Sequence, residues 1–545
     1  MNPNQSQVPA PLYMTDFSGQ SENPSIGAGV AVGIDLFTTK TVARLSRKMN
    51  KQSGSVVLDL PIGCTISNQG YIYVQDQTGN VYQSLDQGVT WTQLFTSVAG
   101  GKGIQVWEDY LFMFNNDDIS IYGPLSSGPT LTSSWWTTTA AQNPLQNALN
   151  INHFPFVYGQ VMYFCNGPYI GYIEFIGAPG TPFDPSVAPG VTYLASPTKF
   201  SLSDYYISQT IGLLPPGTFA IGVSNSVNPS HTDVVVWDGV SSSNYVNLVT
   251  FAGASNPVVQ MITKNGVLYC VTDKEHGVYV FNGSSATLID RLALRMSNRT
   301  LGGTQYTTRL ASTIYPSGID FLGPELLTAG ANFPSPTTQI ANTGLYPYGV
   351  WSVNIESNAY GQTVDVGSTG VIGLRFPLSF GDINAQYTTN YAIGFIKCLN
   401  NNSVLVGWQK GATYGIDLLD SQYYISDPNT TFLESSLYLA GTRLIPRTFS
   451  SLEFNLVTPL NSGDQIQFFW RTTTGMDYQP FLDGQGNNIG TFNLANMTDS
   501  RGNVFLSDAI QSLSFQSADY IQIGAKINAG SNSNLTPQLR DVILK

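Results

Sequence analysis

Paired carboxylates, three histidines and one Ser/Asp/Thr string are the groups in this chain that could do chemistry. Asp117 with Asp118, Asp273 with Glu275, and Asp417 with Asp420 each set two carboxylates close together in sequence. Such pairs can divide proton transfer between a general acid and a general base. All three lie in or beside turn-like stretches, where an Asp side chain holds the local backbone, and that role is the expected one. His153, His231 and His276 are far apart, and the HExxH, GxSxG and P-loop strings do not occur. Residues 76–80, Asp-Gln-Thr-Gly-Asn, offer loop oxygens of the kind a Ca²⁺ ion takes, without the twelve-residue ligand pattern. Residues 84–91, Ser-Leu-Asp-Gln-Gly-Val-Thr-Trp, place Ser84, Asp86, Gly88, Thr90 and Trp91 in one short string. No catalytic residue, metal or cofactor is expected.

The elements that must carry these groups are strands. Only 11% of the 545 residues are charged, 12% are aromatic, and there are 53 glycines and 30 prolines. That profile fits many short strands joined by Gly, Asn and Ser turns. A two-strand unit recurs. Its clearest copy is Gly266-Val-Leu-Tyr-Cys-Val271 followed by Gly277-Val-Tyr-Val-Phe-Asn-Gly283. Further copies fall at 70–84, 110–123, 161–175, 219–239, 319–355 and 404–417. Alternation of apolar and polar positions supports strands over helices. The expected fold is all-β: a β-propeller of about seven blades, with six to eight compatible with the spacing, over residues 56–434. Residues 435–545 carry longer alternating strands and predict an antiparallel β-sandwich. Residues 1–55 are expected to form an extended N-terminal arm whose removal would spare folding.

The net charge of −12 argues against a broad nucleic-acid surface. The one basic cluster, Lys40, Arg44, Arg47, Lys48 and Lys51, could meet an acidic partner, with a solvated segment as the plainer reading. Cys64, Cys165, Cys270 and Cys398 read as reduced thiols suited to a reducing cytoplasm. Cys165 and Cys270 would be the pair to bridge if blades brought them together. No secretory leader and no membrane-spanning run is read from the sequence. Trp135 and Trp136 could form a sugar platform on a propeller face, with a core pair the expected reading.

Residues 84–91 resemble the Asp-box, the hairpin turn of propeller blades in sialidases and related repeat proteins. The resemblance implies that Asp86 and Ser84 tie the turn and that Trp91 packs between strands. Sialidases also need three substrate-binding arginines and a Tyr/Glu pair; this chain has 12 arginines in total and one complete Asp-box. The order of 25–30, 33–37, the basic stretch, 54–59 and 82–88 resembles tailed-bacteriophage virion proteins. So does the ending at 464–471, 521–523 and 535–540. That resemblance implies a non-enzymatic structural protein: a subunit of a homo-oligomeric ring of the tail, of the nozzle, hub or baseplate-proximal type. Its partners would be other virion tail proteins, with DNA at most passing through a conduit, and it would assemble in the host cytoplasm. A receptor- or carbohydrate-binding tail protein is the alternative reading, and a propeller glycosidase a third.

Overall fold

A computed structural model describes residues 12–14, 28–36, 38, 42–98, 100–139, 145–146, 152–214, 217–225, 233–245, 247–251, 257–272, 277–281, 283–291, 300–301, 304–305, 315–329, 345–347, 349–355, 372–380, 384–386, 391–425, 431–435, 438–439, 447–472, 477–497, 508–518, 520–530 and 534–545. Alternation along single strands builds the architecture. On Val161–Asn166, Met162 and Phe164 pack with Phe112 and Phe114 on one side. Tyr163 and Cys165 pack with Phe219 and Ile221 on the other. A strand buried on both faces must be sandwiched between two sheets.

Repeating this packing gives a ring. Six four-stranded sheets, and a seventh four-strand path inside a larger sheet, make up seven units among the described residues. The first five span 61–96, 103–132, 155–201, 206–250 and 258–291, each with strands in simple chain order. The sixth uses Ile319–Leu322, Glu325–Ala329, Val350–Asn354 and Ile372–Phe376. The seventh takes Tyr391–Asn400, Ser403–Lys410 and Thr413–Tyr424 from its own region. Its outer strand is Arg47–Lys51, from the start of the chain. Neighbouring units meet in chain order, mostly through their first strands, with Tyr206–Leu214 of the fourth lying against Val161–Asn166 of the third, and Tyr391–Asn400 of the last unit lies beside Pro61–Ile66 of the first. There the backbones nearly touch: a Cβ on Gly394 would sit 1.9 Å from the Pro61 carbonyl oxygen, so this position admits no side chain. This all-β ring of four-stranded antiparallel sheets is a β-propeller.

Each of the seven two-strand repeats seen in the sequence falls within one unit, six of them on its second and third strands. Those strands are the most fully buried: Ile72–Asp76 and Asp233–Trp237 are buried at every residue. The outer strand Thr92–Thr96 is largely exposed, which is why its pattern is weak.

The sandwich is built from both ends of the chain. One sheet runs Ile34–Asp35, Ala43–Leu45, Gln538–Leu544, Arg447–Leu456, Asp508–Ala518, with Leu12–Met14 beside Gln538–Leu544. The other contains Phe432–Ser435, Tyr520–Asn528 and Gln465–Arg471. Ala28–Val32 joins this second sheet to the sixth unit, antiparallel to Phe432–Ser435 and parallel to Ile372–Phe376. The result is one continuous 11-stranded sheet. Ala31 points into the sandwich core and Val32 into the propeller core.

Residues 1–55, expected as an extended arm, therefore supply strands to both bodies wherever they are described. The expected break at 434/435 falls inside the strand Phe432–Ser435. The physical reason is pairing: Ile34–Asp35 pairs locally with Ala43–Leu45, but the sheets that take in these short strands are otherwise formed by residues hundreds of positions later.

Removing residues 1–51 should accordingly abolish the cooperative thermal transition followed by far-ultraviolet circular dichroism. A truncated chain that melts within a few degrees of the full one would contradict this architecture. The single change Met49→Ala, at a side chain 1% exposed in the core of the seventh unit, should cost about 2–5 kcal/mol.

Candidate functional site

Residues 84–91 fold as a tied turn. The Ser84 hydroxyl donates to Asp86 Oδ1 at 2.8 Å and accepts the Gly88 N–H at 2.8 Å. Asp86 Oδ1 accepts the Thr90 N–H at 2.8 Å, and Oδ2 accepts the Thr90 hydroxyl at 2.6 Å. Gly88 has φ +91°, and a Cβ there would meet Leu405 at 2.7 Å. Trp91 donates to the Gly88 carbonyl at 2.9 Å and packs with Tyr82, Phe395 and Leu405. The turn thus plugs the seam between the first and seventh units. Desolvation would raise the Asp86 carboxyl, but the hydrogen bonds from Thr90 and Ser84 together outweigh it and hold the group below its usual range.

Asp76 also ties its own turn with hydrogen bonds. Its oxygens accept the N–H groups of Thr78 and Asn80, the Thr78 hydroxyl, the Asn80 amide and the Tyr82 hydroxyl, all between 2.7 and 3.1 Å. The loop at 76–80 spends its carboxylate on its own turn. Asp118 accepts from Asn115 at 2.9 Å, and Asp420 accepts from Asn50, Gln422 and Tyr423. Asp273, Glu275, His231 and His276 lie outside the described residues.

Asp417 differs from its partner Asp420. It is fully buried and accepts the Ser379 N–H and hydroxyl and the Trp408 indole N–H. Burial pushes its carboxyl up to about 6, against the pull of those hydrogen bonds and of Lys51. Burial likewise presses His153 down to about 4, with its Nδ1 2.9 Å from the Cys165 carbonyl. Trp135 and Trp136 are 2% and 4% exposed, within the aromatic core between the second and third units. They offer no platform to a sugar. All four cysteines are free thiols; Cys165 and Cys270 sit in separate cores.

The basic cluster is spread along strands. Lys40 lies outside the described residues. Arg44 pairs with Asp35 at 3.1 Å, Arg47 stacks 4.3 Å over Tyr424, and Lys51 sits 5.3 Å from the Trp408 ring centre. Lys48 alone is exposed. Around Arg44 is a junction that the cluster did not reveal. Arg375 bridges Asp35 at 3.2 Å and Glu325 at 3.0 Å and donates to Ser46 at 3.0 Å. Burial would raise the Asp35 carboxyl, but Arg375, Thr38 and Arg44 together hold it far below the usual range. Burial dominates at Glu325 and raises it. The signal for this junction was a lone charge inside an apolar strand: Ile-Asp-Leu at 34–36 and Leu-Arg-Phe at 374–376.

A cavity of about 540 Å³ runs along the ring axis, walled by the first strands of all seven units. Lys102, Lys397, Asp320, Cys64 and Tyr158 are its ionisable lining groups. Burial pushes the Cys64 thiol up to about 12, so it stands protonated. No reactive thiolate, and no cluster of three or more potential metal ligands, is found among the described residues.

No family model and no curated protein sequence matches the chain. Solved structures that align with it include virginiamycin B lyase from Staphylococcus aureus, at 12% identity over 68% of this chain and 99% of that one, TM-score 0.38. A streptogramin B lyase aligns at 11% identity over 69% and 98%, TM-score 0.39. YCF48 bound to a D1 peptide aligns at 10% identity over 69% and 96%, TM-score 0.36. Similarity at this level says nothing about substrate or reaction.

Two outcomes follow from the site. Trp91→Ala should destabilise the seam by about 3–5 kcal/mol in urea unfolding. Asp417 has a raised folded pKa, so its protonated form is favoured in the fold. Stability from this group should rise as pH falls from above 6 to about 4, by up to about 3 kcal/mol. The difference in urea stability between the wild type and Asp417→Asn, measured from pH 7 to 4, should show that slope; a flat difference would refute it.

Proposed function

We propose that the chain is a non-enzymatic structural protein of a bacteriophage virion, a subunit of a homo-oligomeric ring in the tail at a nozzle, hub or baseplate-proximal position. Its mechanism would be shape: a stiff body that offers faces and edges to copies of itself and to other tail proteins. The observation that carries this reading is the interlock. The chain start crosses the sandwich, fuses it to the sixth unit and completes the seventh, so that propeller and sandwich share one sheet. A load-transmitting ring subunit benefits from such a joint, because inter-domain motion is otherwise the default.

Two further features support it. The polar groups that looked chemical are mostly spent on turns and seams, as at Asp76, Asp86 and Asp420. The net charge of −12 suits walls past which DNA slides, since like charge reduces sticking. The resemblance of the two chain ends to phage virion proteins supplies the biological setting. A carbohydrate-binding tail protein is the weaker alternative, because the Trp135–Trp136 pair it would use is core.

Mass spectrometry of purified particles should find the protein in several copies per virion, and immunogold should label the tail. Its absence from particles would sink the proposal, and release of reducing sugar by the purified chain would favour a glycosidase instead.

A further inference from the structure

The axial cavity carries charge of the sign this protein otherwise lacks. Only 11 of the 545 residues are lysine, yet Lys102 and Lys397 both line this one space. They come from opposite ends of the propeller sequence, Lys102 just before the first strand of the second unit and Lys397 within that of the seventh. Among the described residues no ion pair or hydrogen bond engages either ammonium. The one carboxylate in the wall, Asp320, is already committed. Its Oδ1 accepts the Phe321 N–H at 2.8 Å and its Oδ2 the Cys398 N–H at 2.8 Å.

The cavity is therefore a partly enclosed space with more positive than negative charge in a chain of net charge −12. Burial pushes the Lys102 ammonium down. Removing an ammonium from water without a partner is unfavourable, and a bound anion would supply the partner. Apolar side chains share the wall with polar groups, Ile62, Ile104, Phe154 and Met261 among them. Its volume falls in the range of small-molecule sites, which combine apolar walls with a few placed polar groups.

We propose that the axial cavity binds a small amphipathic anion, whose carboxylate or sulfonate is met by Lys102 and Lys397 and whose apolar body packs against Ile62, Ile104 and Phe154. This site is independent of the tail reading and stands whether or not the chain is a ring subunit.

Fluorescence titration of the full chain with 8-anilinonaphthalene-1-sulfonate tests it. Saturable one-to-one binding is expected, weakened at least tenfold in the double variant Lys102→Gln/Lys397→Gln and unchanged in Lys48→Gln. The neutral analogue N-phenyl-1-naphthylamine should respond less than twofold to the same double variant. On the unaltered protein, octanoate should displace the sulfonate probe and octyltrimethylammonium should not, a comparison that holds even if the double variant fails to fold. Equal displacement by the two, absence of saturation, or wild-type affinity in a folded double variant would each overturn the proposal.

Discussion

The pairing of Arg47–Lys51 with Thr413–Tyr424 is the contact on which the rest of the molecule depends. Without it the seventh unit would end on an unpaired strand, with backbone donors and acceptors open to any other chain. With it the ring closes, and the chain leaves the same strand to begin the first unit. Lys51 stands opposite Asp417, so closure joins residues far apart in sequence. Such a contact must offset a large loop-closure entropy and forms only once most of the ring exists. Met49, buried between the sixth and seventh units, supplies part of the apolar surface that offsets it.

Closure also explains where the buried charges sit. Arg375 holds Asp35 and Glu325 where the N-terminal segment meets the sixth unit. Arg471 pairs with Glu434 at 2.5 Å, both side chains fully buried, where the sandwich sheet continues from that joint. Gln522 and Tyr478 complete the second site by donating to Glu434. Buried ion pairs add little net stability, because desolvation opposes the attraction. They are costly to mismatch, so they favour one register of strands over its neighbours. Both lie along the 11-stranded sheet, the element in which strands from distant parts of the chain must find each other.

The turns use a cheaper local version of the same chemistry. Asp76, Asp86 and Asp483 each accept the N–H of the residue four positions on. In the first and third, an Asn at that position also donates its side-chain amide to the carboxylate. One turn design thus serves both propeller and sandwich. These carboxylates hold backbone in place, whereas the axial lysines line a cavity and, among the described residues, have no ion-pair or hydrogen-bond partner for their ammonium groups. That contrast separates structural polar groups from a site able to receive a ligand.

The sequence by itself determined what local pattern can encode. Strands buried on both faces read as continuous apolar runs, so all seven repeats were legible, and the long alternating strands at 447–456, 465–471 and 520–528 were too. The tied turn at 84–91 was legible because every bond in it spans a few residues. Tertiary structure alone decided the fate of the chain start. Segments such as Ala28–Val32 and Arg47–Lys51 carry too few residues for periodicity to show, and their partners lie hundreds of positions away. It also decided that Arg44, Arg47 and Lys51 serve this chain's own carboxylates and rings. Likewise it decided that Lys102 and Lys397 share a cavity, since a ring brings together residues whose separation in sequence no local signal records.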